Sequence, residues 1–149
     1  MLQETGVKLE RLRTIEEEAT FSIVVDGRVI GNVTFATYYE PAVRILDEHV
    51  ALWAGPTLCI VDRKHSTLRC IRREDETHRI HELNNVWIVE GELRIDLFEP
   101  TTLQVLASYT HDEVITDSWL NGELICIRDF QNRTFCLNTS EKLVLVASA

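Results

Sequence analysis

The stretch Leu93-Arg94-Ile95-Asp96-Leu97-Phe98-Glu99-Pro100-Thr101-Thr102-Leu103-Gln104-Val105 decides the fold. It holds an apolar pair spaced by one residue, a gap of seven, and a second such pair. Thirty-five residues earlier the same places hold Leu58, Ile60, Leu68 and Cys70, and 35 before that Ile23, Val25, Val33 and Phe35. Thirty-two residues later they hold Ile125, Ile127, Phe135 and Leu137. Alternation of this kind buries one face of a β-strand. Four copies of one hairpin are the signature of a repeated β-architecture.

Working outward from these pairs, strands and turns follow each other every 8–12 residues. Asp26-Gly27 suits a two-residue hairpin turn, where both central residues need positive φ. The 35-residue register places that turn nearer Val29, so a bulge near Gly31 is expected. Tyr38-Tyr39-Glu40-Pro41 breaks the pattern, and Pro41 belongs at a strand start or edge. Residues 1–19 are the least regular. Leu9, Leu12 and Ile15 fit helical turns, whereas Val7 and Leu9 alternate as in a strand. Glu16-Glu17-Glu18 reads as a solvated link.

The expectation is a single all-β domain over 1–149, with an irregular N-terminal segment. Its units of about 35 residues run over 20–49, 50–84, 85–119 and 120–149. Sequential strands joined by short turns pair antiparallel. The plan resembles a compact propeller, and a rolled barrel or two-sheet sandwich satisfies the same pattern. Trp87 and Trp119 fall at equivalent first-strand places, which favours core packing over a binding platform.

Composition narrows the function. The net charge is −9, which disfavours nucleic acid and anionic membrane and suits a basic protein partner. No basic region followed by an apolar run marks a signal peptide, so a cytoplasmic location with reduced cysteines is expected. Cys126 and Cys136 flank a turn symmetrically and could oppose each other. Cys59 and Cys70 are expected on opposite faces. His65 and His111 lie in turns, where histidine is usually exposed.

No nucleophile elbow and no glycine-rich phosphate loop is present. His78 and His81 with Glu82 fall short of a four-ligand metal set, so no metal site and no cofactor is assigned. The one constellation the repeat offers is acidic. Ile45, Ile80 and Ile115 are spaced by 35, and two residues after each stands Asp47, Glu82 or Asp117. Related units would bring these three carboxylates to one rim. The reading that follows is a non-enzymatic acidic module gripping another protein by rim loops, such as a toxin neutraliser or regulatory subunit. An enzyme or small-ligand binder with a polar pocket between units, offering Asp47, Glu82, Asp117 and His81, is the alternative. Edge strands could also pair between copies in a homo-oligomer.

Overall fold

The computed structural model describes residues 2–4 and 6–146. Their strands form four four-stranded antiparallel sheets, each a meander of sequence neighbours. The first sheet holds β1 (Leu2–Glu4), β2 (Val7–Ile15), β3 (Glu18–Val25) and β4 (Arg28–Ala36). The second holds β5 (Ala42–Leu46), β6 (His49–Ala54), β7 (Thr57–Asp62) and β8 (Thr67–Arg72). The third holds β9 (Arg79–Leu83), β10 (Val86–Glu90), β11 (Arg94–Glu99) and β12 (Gln104–Thr110). The fourth holds β13 (Ile115–Asn121), β14 (Leu124–Asp129), β15 (Thr134–Asn138) and β16 (Val144–Leu145). Each sheet begins one or two strands before the unit boundaries read from the 35-residue spacing. Among the described residues the helical content is one 3-10 turn, Thr139–Glu141, and no helix is long and apolar enough to cross a membrane.

Local chemistry explains the turns. Asp26 and Gly27 take φ of 51° and 80°, the two positive values a tight hairpin needs. The register of β3 against β4 then shifts between Ile23 and Val24, next to Gly31, as the spacing conflict required. In the last three sheets the residue ending the third strand closes the following turn with its side chain. Asp62 accepts from the backbone N–H of Lys64 and His65, and Glu99 from those of Thr101 and Thr102. Asn138 accepts from that of Ser140. Short polar side chains bond their own backbone two residues on and so stabilise turns. Near the N-terminus alternation wins over helical spacing: β2 covers Leu9, Leu12 and Ile15, and Glu16-Glu17 is a hairpin turn.

The chain divides into two compact units, Met1–Glu76 and Thr77–Ala149. In the first, Phe21, Ile23, Val33 and Phe35 pack with Val50, Leu52, Cys59 and Val61 of the second sheet. In the second unit Ile88, Ile95 and Leu97 pack with Ile125, Ile127 and Leu137. Each fully buried side chain of this size contributes roughly 1.5–3 kcal/mol. Not every member of the aligned pairs is covered. Leu93 and Val105 are exposed, and Leu103 sits in the β11–β12 turn at positive φ. Trp87 lies on the second strand of its sheet, buried beside Phe98, whereas Trp119 lies on a first strand beneath Arg128.

Cys126 and Cys136 oppose each other as their symmetric placing about a turn suggests, but the cysteines are not reduced and Cys59 and Cys70 do not lie on opposite faces. Cys59 is bonded to Cys70 and Cys126 to Cys136, with no free cysteine among the described residues. Both pairs are opposed across neighbouring strands, with Cα atoms 4.1 and 4.0 Å apart. The Arg63–Ser66 turn sets the register of β7 on β8. That register puts Cys59 and Cys70 on one face rather than two.

Candidate functional sites

The second unit carries a polar cluster where β9, β10 and β13 meet. Glu90 ends β10 and is 1% exposed. Ser118 of β13, itself buried, lies close enough to the Glu90 carboxyl to pull its pKa down. Arg79 Nε and His78 Nδ1 lie 3.9 and 4.0 Å from its oxygens, too long for hydrogen bonds. Oε1 has no hydrogen-bond partner among the described residues. Burial therefore raises the Glu90 pKa, against the opposing pull of Ser118, Arg79 and His78. Ser118 Oγ is 2.8 Å from His81 Nε2. A buried hydroxyl bonded to an imidazole in this way belongs to an internal network.

A second network closes the fourth sheet. His111 is buried, not exposed as a turn histidine would be. Tyr109 Oη lies 2.7 Å from its Nδ1, and its Nε2 lies 2.9 Å from Asp129 Oδ2. Asp129 Oδ1 accepts from the backbone N–H of Gln131 and Arg133. Arg133 Nε donates to Asp129 Oδ2 and its Nη2 to Asp112. Burial pushes the Asp129 pKa up, but the bonds from His111 and from the backbone and guanidinium of Arg133 outweigh it, leaving about 2. His111, Asp112 and Asp129 each offer a ligand atom, within 4.8 Å of one another. Arg133 already bonds both carboxylates, so its cation stands where a metal ion would sit.

The first unit presents an aromatic ridge on the β4–β5 loop. Tyr38 is 72% exposed, and its ring centroid lies 4.6 Å from that of Tyr39. Tyr39 donates its hydroxyl to Glu76 Oε1 at 3.0 Å and lays its ring against Gly55. Gly55, at φ 57°, leaves the space that any side chain would fill. Two open grooves of about 330 and 510 Å³ both border this tyrosine pair. One runs past Phe35, Pro56 and Glu18, and the other past Phe21, Glu40 and Pro41. In the sequence these tyrosines stand out only as a break in alternation. Adjacent tyrosines beside a proline were the available signal.

The four residues singled out from the repeat are placed as follows. Asp47 is exposed at positive φ in the β5–β6 turn. Glu82 and His81 are neighbours on β9 and so point to opposite faces of it. Asp117 is paired with Arg79 and also accepts from the backbone N–H of Ser118. Asp117 and His81 therefore belong to one network, around Ser118 and Arg79.

No protein-family model matches the sequence, and no curated protein matches it. Solved structures do match in fold. BamB from Moraxella catarrhalis superposes with a TM-score of 0.68 at 12% identity, over 100% of this chain and 47% of that one. The Pan2 WD40 domain of Neurospora crassa gives 0.57 at 8%, over 94% of this chain and 51% of that one. The computationally designed Ika4 protein gives 0.60 at 10%, over 93% and 95%. The chain spans about half the length of the two natural proteins. At these identities the likeness concerns architecture, and its four antiparallel sheets are those of an all-β, propeller-like fold.

Proposed function

We propose that this chain is a non-enzymatic binding module that holds another protein by an extended segment laid across the Tyr38–Tyr39 ridge. Exposed Tyr38, stacked on the half-buried Tyr39, carries this reading. Tyrosine contributes large, rigid contact area at small entropic cost, and aromatic anchors dominate binding energy at interfaces. Two grooves sharing one aromatic wall suit two side chains of an extended peptide, with proline-rich segments favoured because they are already ordered. Each groove is bordered by one acid and one arginine, Glu18 with Arg72 and Glu40 with Arg11, so the preference for a partner with basic residues rests on the net charge of −9. The propeller-like likeness supports the reading, since such folds often serve as protein-interaction scaffolds.

The test is selection of displayed peptides on the immobilised full chain, followed by affinity measurement on Tyr38→Ala. Tyr38 is exposed, so its truncation leaves the core untouched. Selected peptides should be rich in proline and basic residues and bind Tyr38→Ala at least 10-fold more weakly. Failure to enrich any peptide, or equal binding to both proteins, overturns the reading.

A further inference from the structure

The second unit holds a cavity of another kind, about 520 Å³ in volume. Ligand sites for small molecules occupy roughly 300–1,000 Å³ and pair apolar walls with a few polar groups. Leu83 and Val86 stand either side of the Asn84-Asn85 turn that joins β9 to β10. Ile88 and Leu97, opposed on β10 and β11, are buried and form the floor. The last wall is Leu106. Leu97 pairs with Ala107 and Phe98 with Val105, so Leu106 is the extra residue of a β-bulge. Bulges re-aim side chains, and this one places a 47% exposed leucine on the cavity.

One side of the mouth is polar. The 3-10 turn Thr139–Glu141 is tied down by Thr139, whose N–H and hydroxyl both donate to the Glu123 carbonyl. Lys142 follows in left-handed backbone and lines the cavity. No carboxylate of the described residues forms an ion pair with it. Ser140 already donates its hydroxyl to Asn138. The remaining polar side chains that line the cavity are Lys142, Asn84 and one acid, Glu123.

We propose that this cavity binds a small apolar carboxylate, its hydrocarbon part on Leu83, Val86, Ile88, Leu97 and Leu106 and its carboxylate on Lys142. The charge match selects the head group and the bulged leucine grips the chain. The site is separate from the tyrosine ridge, so the two readings fail independently.

Decanoate, decanol and decylamine, each below its micelle concentration, test this by titration calorimetry on the full chain. Decanoate should bind saturably to the wild type and to Tyr38→Ala alike. Leu106→Glu should weaken decanoate at least 10-fold, and its unchanged circular dichroism and melting temperature would exclude unfolding. Lys142→Glu should weaken decanoate at least 10-fold and leave decanol unaltered. Absence of saturable decanoate binding overturns the proposal. So does indifference to either substitution, or tighter binding of decylamine, which would give the head group to Glu123.

Discussion

His111 Nε2 and Asp129 Oδ2 meet at 2.9 Å, joining the loop before β13 to the end of β14. One sheet earlier Glu90 ends its strand as Asp129 ends β14, but the imidazole nearest to it, His78, stands 4.0 Å away. One buried acid is thus held by hydrogen bonds and the other is not, the two shift in opposite directions, and each shift makes a stability prediction.

Asp129 titrates at about 2 in the fold, below its ordinary 3.8. A depressed acid contributes stability that is present above its unfolded pKa and lost as pH falls through the folded one. Wild-type stability should therefore drop between about pH 4 and pH 2. Asp129→Asn should be less stable at pH 7, and the difference between the two proteins should shrink towards pH 2. Urea unfolding at several pH values measures this. A difference that does not depend on pH would contradict the role given to the charge.

Glu90 is displaced upward by burial, so the sign reverses. The native state holds this proton more tightly than the unfolded chain, and stability falls as pH rises from the ordinary glutamate range through the raised value. Glu90→Gln keeps the shape and removes the buried charge. It should melt at a higher temperature than wild type at pH 7, with the gain diminishing at pH 4. A lower melting temperature at both pH values would mean that the ionised carboxylate is needed.

The disulfides predict a measurable dependence on redox state. Cys59–Cys70 and Cys126–Cys136 close loops of sequence separation 11 and 10. Each closure should contribute about 2–3 kcal/mol by restricting the unfolded chain. Peptide mapping of the unreduced protein should recover those two pairs and no others. The Cys126→Ser/Cys136→Ser double variant should unfold at lower urea with little change in slope. Full alkylation of four thiols in the purified protein would refute the pairing.

Much of the fold was legible because strand alternation has a period of two. The aligned isoleucines are 35 residues apart. The residues ending the first strand of the last three sheets, Leu46, Leu83 and Asn121, are 37 and 38 apart. A shift of two residues keeps every side chain on its face, so the 35-residue spacing gives the right alternation. The remaining residue is absorbed by the bulge at Thr116, where Ile115 opposes Asp129 and Asp117 opposes Arg128. Alternation could not say which face is covered, so Leu93 and Val105 read as core. Nor could it give the register that joins Cys59 to Cys70, or the long-range contacts that bury His111 and Glu90. The tyrosine ridge was hidden for a related reason: a side chain that breaks the pattern carries no sign of what lies beside it.

The packing of Tyr39 on Gly55 holds that ridge in place, and a double-mutant cycle tests it. Gly55 takes φ 57°, where an L-residue costs roughly 1–2 kcal/mol. A β-carbon there would also strike the Tyr39 ring. Gly55→Ala should therefore cost about 2–4 kcal/mol in the wild type, the backbone strain plus displacement of the ring. In a Tyr39→Ala background only the strain remains, so the same substitution should cost about 1–2 kcal/mol. The difference is the coupling between the two residues, read from urea unfolding of the four proteins. Gly55→Ala should also weaken peptides selected on the ridge by shifting the ring beneath Tyr38. Additive costs, with peptide binding unchanged, would show that the ring does not depend on the glycine.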